Sequence, residues 1–204
     1  MVFLHLLSQY IASARAADDF WRQLLRVLQT ENADIPFALL YSSGWESNES
    51  PLDRPKQTLD DWVLRGIVGV PEPHVQFPRH YSNDEPIEVF LPAFQEMINS
   101  DTHTLLLASD GSMPQSLVQN LKSANNVDSY KAAVFLPIRL TGDYIRGLLI
   151  LGTSLRQRFD DDYRLFIELL RRQLATSMAV SFERTESILR RKPLMRFRPP
   201  FCSR

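Results

Sequence analysis

The chain has 204 residues, of which 44% are hydrophobic and 23% charged, with a formal net charge of −1. That length suits a single domain with an adequate core, and the balanced charge excludes a global field recruiting nucleic acid or a membrane surface. The only cysteine, Cys202, sits in the C-terminal tail, so no intrachain disulfide is available and a reducing, cytoplasmic setting is expected. No apolar run approaches the ~20 residues that a membrane-spanning helix needs.

The first residues, Met1 to Ile11, are apolar, but they lack a basic leader and are interrupted by His5, Ser8 and Gln9. Phe3, Leu6, Leu7, Tyr10 and Ile11 fall at helical spacing and predict an amphipathic helix packed on its neighbour. Asp18 and Asp19 open a second helix, where negative charge complements the amide dipoles. Its apolar stripe is Phe20, Leu24, Val27 and Leu28, with Trp21 beside it.

Pro36 to Ser43, around Phe37-Ala-Leu-Leu-Tyr41, reads as a buried strand. Residues 44–57 are rich in Gly, Ser, Asn and Pro and read as a loop. A second strand is expected over about Asp61 to Val70, with Gly66 and Gly69 marking a bulge or a close backbone approach. The proline-rich stretch from Pro71 to Asn126 is irregular. It carries a predicted helix over Glu88–Asn99, a strand over His103–Ala108, an Asp110-Gly111 turn and a helix over Gln115–Lys122.

Ala132–Arg139 and Tyr144–Ser154 form a predicted hairpin around Leu140-Thr-Gly-Asp143. Both strands are apolar on both faces, so the sheet needs cover on both sides. A long helix then follows, in which Tyr163, Phe166, Ile167, Leu170, Leu174, Met178 and Phe182 recur at steps of three and four. Asp160-Asp-Asp162 stands at its N-terminus, and Arg171 and Arg172 are assigned to its wet side. Beyond Phe182 the helical spacing weakens, and Pro193, Pro199 and Pro200 stop any continuation. Arg184 to Arg204 holds seven basic residues against one acidic residue, Glu186, and is expected to be a solvated tail.

The run Pro137-Ile138, Gly147, Leu149, Phe159, Asp162, Leu170, Ala175 and Ala179 resembles the GAF superfamily. A closer resemblance is to the GAF-like module upstream of the kinase in fungal hybrid histidine kinases. It rests on Phe20-Trp21, Pro36 to Tyr41, Gly69-Val-Pro71, Asp110-Gly-Ser-Met-Pro114, Phe159 to Tyr163, Phe166-Ile167 and Arg172 to Ala179. Lys122–Tyr130 lacks the Arg-Gly-Phe-Gly-like stretch of that family. The chain also carries no phospho-accepting histidine motif, no glycine-rich ATP lid and no receiver aspartate.

The resemblance implies an α/β (α+β) GAF-like fold, with a central antiparallel sheet of about six strands flanked by helices and a long C-terminal helix. The helices at the two ends of the chain are expected on one face of the sheet and the middle segment on the other. The expected organisation is an N-terminal helical extension over 1–17, the domain over 18–182, and a helix end with a basic tail over 183–204.

The resemblance further implies a non-catalytic sensory or regulatory module of two-component phosphorelay signalling. A small-molecule pocket between sheet and middle segment would be walled by Phe90, Phe94, His103 and Tyr130. Tyr163, Phe166, Ile167, Leu170, Leu174 and Met178 would form the signalling and dimer helix, pairing with a second copy or with a full-length histidine kinase. The alternatives are a truncated interaction or dimerisation module without a ligand, or a fragment of a longer histidine kinase.

The residues themselves argue against chemistry. His5, His74, His80 and His103 show no metal-ligand spacing, and the three aspartates fit helix capping better than a cation. Ser112, His103 and Asp110 lie near one another in sequence, but no nucleophile elbow surrounds the serine. A cysteine confined to the tail excludes both covalent bilin attachment and thiolate-based reduction of methionine sulfoxide within the domain. The signature of cyclic-nucleotide-binding GAF domains is incomplete. The cofactor is therefore left open, with no metal expected.

Overall fold

A computed structural model describes residues 2–14, 16–30, 35–43, 62–70, 80–81, 103–107, 111–113, 130–139, 145–154 and 159–191. In chain order these give helices α1 (Val2–Ala12) and α2 (Ala17–Thr30), strands β1 (Ala38–Ser43), β2 (Trp62–Val68), β3 (His80–Tyr81), β4 (Thr104–Leu107), β5 (Tyr130–Arg139) and β6 (Ile145–Ser154), and helix α3 (Asp161–Arg191). The strands form one six-stranded sheet in the order β3-β2-β1-β6-β5-β4. Every recorded pairing is antiparallel.

The long β5–β6 ladder and the buried β1 lie at the centre of the sheet, as their apolar sequences require. β3 was not foreseen. Two residues inside a proline-rich stretch carry no period, and pairing with β2 defines them. The predicted helices over 88–99 and 115–122 and the hairpin turn over 140–143 lie outside the described residues.

Strand side chains alternate between faces. Ala38, Leu40, Val134, Leu136, Ile138, Leu149 and Leu151 share a core cluster with Leu24 and Leu28 of α2 and with Ile167, Leu170, Leu174 and Met178 of α3. All three helices therefore occupy one face. Leu7 and Ile11 of α1 belong to the same cluster, so this segment, read as an extension, contributes to the core; Tyr10 instead faces outward. On the second face Leu39, Tyr41, Phe135, Leu148 and Ile150 are also fully buried.

Three register shifts interrupt the ladders; one lies between Tyr130 and Ala132 at the start of β5, and each of the other two inserts an arginine. Leu40 pairs with Gly66 and Tyr41 with Leu64, leaving Arg65 as the extra residue of β2. Ile138 pairs with Gly147 and Arg139 with Ile145, leaving Arg146 as the extra residue of β6. A bulge re-aims the side chain it inserts. Arg65 donates from Nε to Ser42 Oγ at 2.6 Å and lies 3.7 Å from Asp18 at the start of α2. The Arg146 guanidinium sits 5.9 Å from the centre of the Phe182 ring on α3. Each bulged arginine precedes a glycine against which α2 packs closely. A Cβ on Gly66 would lie 2.6 Å from Leu25, and one on Gly147 would lie 2.5 Å from Trp21.

Gly69 follows β2 at φ +75°, where a Cβ would strike the Pro36 carbonyl. Gly66 thus adjoins a bulge and Gly69 marks a close backbone approach, the two features expected of these glycines. Helix α3 begins with Asp160 as its cap, Oδ1 accepting from the Tyr163 amide at 3.0 Å. It continues beyond Phe182 to Arg191, further than the spacing of its residues alone supports. Among the described residues no helix is long and apolar enough to cross a membrane.

Candidate functional site

Of the four residues expected to wall a pocket, only His103 has a described side chain. Phe90 and Phe94 lie outside the described residues. Tyr130 opens β5 opposite Ser154, and its side chain also lies outside the description. His103 precedes β4 and has the parity of Leu105, which pairs with Val134 and packs on the helix-layer core. Its ring lies 6.3 Å from Phe159. His103 therefore faces the helix layer, not the face assigned to the middle segment. An edge-strand residue changes face with a single step of register, so the face of His103 follows from the pairing of β4 with β5.

What His103 does join is a line of aromatic rings. Phe159 is 5.5 Å from Tyr163, Tyr163 is 5.7 Å from Phe166, and Phe166 is 6.0 Å from Phe3 of α1. Arg164 places its guanidinium 5.5 Å from the Phe159 ring centre. The line runs from the β4 edge across the first turns of α3 to α1.

Beside it, Glu168 accepts a bidentate pair from Arg171 at 3.1 and 2.9 Å, and a third bond from Arg172 Nε at 3.0 Å. The hydrogen bond from Arg171 chiefly holds the Glu168 carboxyl below its ordinary range, with Arg172 adding to it against a desolvation penalty. Desolvation lowers the His103 pKa. Glu168 opposes that effect, and Arg171 and Arg164 reinforce it. Arg171, assigned to the wet side, is half-buried through this clasp.

The residues expected in the signalling helix divide by face. Ile167, Leu170, Leu174 and Met178 are fully buried and Tyr163 is nearly so, all against the chain's own core; Phe166 packs at its margin. The periodic stripe read as a surface for a second chain is therefore engaged within this one. The outward face of α3 carries Leu165, Leu169 and Val180, exposed at 58%, 39% and 41%. The sequence period hid these three, because charged and polar residues interrupt them.

Asp160, Asp161 and Ser112 have structural partners, whereas His74, Asp110 and Cys202 lie outside the described residues. Asp160 caps α3, and Asp161 lies 3.7 Å from Arg164. Ser112 Oγ accepts from the Leu107 amide at 2.8 Å and lies 3.3 Å from its carbonyl, at the end of β4. Among the described residues no group of three His, Cys, Asp or Glu side chains is arranged to hold a metal. The two bulged arginines went unrecognised in the sequence. Their signal was the Arg-Gly dipeptide repeated in two otherwise apolar strands, at Arg65-Gly66 and Arg146-Gly147.

No family profile matches the sequence, and no curated protein is detectably similar to it. The fold, by contrast, has clear counterparts. The GAF domain of an Acinetobacter phosphoenolpyruvate-protein phosphotransferase aligns over 88% of this chain and 92% of its own, with TM-score 0.50 and 16% identity. The phycoerythrobilin-bound GAF domain of a cyanobacterial phytochrome aligns over 88% and 94%, with TM-score 0.55 and 14% identity. Residues 122 to 287 of a methyl-accepting chemotaxis protein align over 89% and 98%, with TM-score 0.54 and 12% identity. The chain has a GAF fold: an α+β arrangement of antiparallel sheet, flanking helices and C-terminal helix.

Proposed function

We propose that this protein is a non-catalytic sensory or regulatory module of two-component phosphorelay signalling, related to the GAF-like module of fungal hybrid histidine kinases. It would take a small molecule or a partner on the second face of the sheet and pass that event into α3. One observation carries the reading. Helix α3 is anchored in the sheet core from Tyr163 to Met178 and then continues to Arg191 as the same helix. At 1.5 Å per residue its 31 residues span about 46 Å. A shift in sheet packing would thus bear on a helix that continues without a break to its far end.

Two neighbours in fold lend support, being parts of a phytochrome and of a chemotaxis protein. The homodimer, or a heterodimer with a histidine kinase, belongs to the same proposal, with Leu165, Leu169 and Val180 supplying apolar surface.

The test is thermal denaturation with a panel of cyclic nucleotides, linear tetrapyrroles, nitrate and small carboxylic acids, followed by hydrogen exchange on any compound that raises Tm. A ligand that binds only the native state raises Tm. A raised Tm with altered protection in α3 supports the sensor. No shift with any compound, together with concentration-dependent dimerisation, replaces it with an interaction module that has no ligand.

A further inference from the structure

The inward face of α3 changes character along its length. Tyr163, Ile167, Leu170, Leu174 and Met178 are apolar and buried, and the next inward positions are Ser181 and Thr185. Ser181, only 1% exposed, donates from Oγ to the Ser177 carbonyl at 2.9 Å. Thr185 repeats the pattern to the Ser181 carbonyl at 2.9 Å. Two successive bonds to the carbonyl four residues back weaken and bend a helix, because the hydroxyl competes for acceptors of the helical ladder.

Past this point different contacts hold the helix. Arg184 donates from Nη1 to the Ala14 carbonyl at 3.0 Å, reaching the connection between α1 and α2. Phe182 lies against Arg146, the bulged residue of β6. The Arg184 contact is polar and its side chain exposed, while Phe182 is only partly buried, at the margin of the core.

We propose that residues 177–185 are a hinge in the output helix, and that the Arg184–Ala14 bond, backed by Arg146 on Phe182, is the latch holding the turns beyond it against the α1–α2 corner. Opening the latch frees the far turns while the first half of α3 stays in the core. The inference deepens the transmission reading given above and rests on it for its purpose. Its test needs no ligand, so the two fail separately.

The experiment is hydrogen exchange, read by mass spectrometry, on the whole 204-residue chain. A hinge gives a step: amides after Ser181 exchange about tenfold or more faster than those from Leu165 to Thr176. Arg184→Ala speeds the second group further and leaves the first unchanged. Ser181→Ala with Thr185→Ala removes both back-bonds and slows the second group. A smooth gradient rising towards Arg191 in the wild type is ordinary fraying and overturns the hinge. Arg184→Ala leaving exchange unchanged, or altering both groups alike, overturns the latch.

Discussion

The indole of Trp21 occupies the space that a side chain on Gly147 would need. A Cβ there would lie 2.5 Å from Cη2 and 3.0 Å from Cζ3 of the ring, and 3.3 Å from Ile138. Trp21 belongs to α2 and Gly147 to β6, so this contact sets how closely helix and sheet approach. Gly147→Ala should cost about 1–3 kcal/mol, because a rigid indole cannot yield without moving the helix. Gly66→Ala should cost less, since its neighbours are the terminal methyl groups of Leu25. Urea denaturation of both variants checks the order. Trp21→Leu combined with Gly147→Ala should recover part of the loss in a double-mutant cycle.

The Asp160 carboxylate is a single-residue helix cap at the start of the output element. Asp160→Ala should lower stability by about 1 kcal/mol, and Asp160→Asn or Asp160→Ser by much less, since each retains an acceptor oxygen. Asp161→Ala should change little, because its contact with Arg164 is long and its side chain fully exposed. Thermal denaturation of the four variants distinguishes capping from a general effect of negative charge.

The hairpin strands, the capped start of α3 and the bulge beside Gly66 were legible in the sequence for a common reason. Each rests on local chemistry or on an unbroken period: Val134-Leu136-Ile138, Asp160 before Tyr163, a glycine inside an apolar strand. The face of His103 was not legible, because it depends on the register of a four-residue edge strand against β5. β3 was missed because pairing alone defines it. The α3 stripe is buried in its own core, and an apolar period shows that a face is buried, not whether its own chain or another buries it.

Acid should destabilise the fold in two stages. Burial lowers the His103 pKa, so from pH about 6.5 downwards the unfolded chain binds more protons than the folded one. Stability is therefore full above that pH and falls as the pH drops towards the folded value. Glu168, held low by Arg171 and Arg172, contributes stability above its unfolded value of 4.5, and that contribution is lost as the pH falls through the depressed folded pKa. His103→Gln should abolish the first stage and leave the second, whereas Glu168→Gln should abolish the second and deepen the first, since Glu168 opposes the lowering of the His103 pKa. Urea midpoints measured from pH 8 down to about pH 2 read both.

The two faces of α3 should separate stability from assembly. Leu174 is fully buried among sheet and helix side chains, so Leu174→Ala should cost about 2–5 kcal/mol from lost burial and the cavity left behind. Leu165 and Leu169 point outward, and Leu165→Lys with Leu169→Lys should leave stability within about 0.5 kcal/mol per site. If a second chain packs on the outward face, the double lysine variant should sediment as a monomer at concentrations where the wild type dimerises. The inward residues cannot serve that purpose without being pulled from the core. A dimer that survives the lysines, with Tm unchanged, would place the contact elsewhere. A wild type that stays monomeric at every concentration would remove self-association and leave only a different chain as the listener for α3.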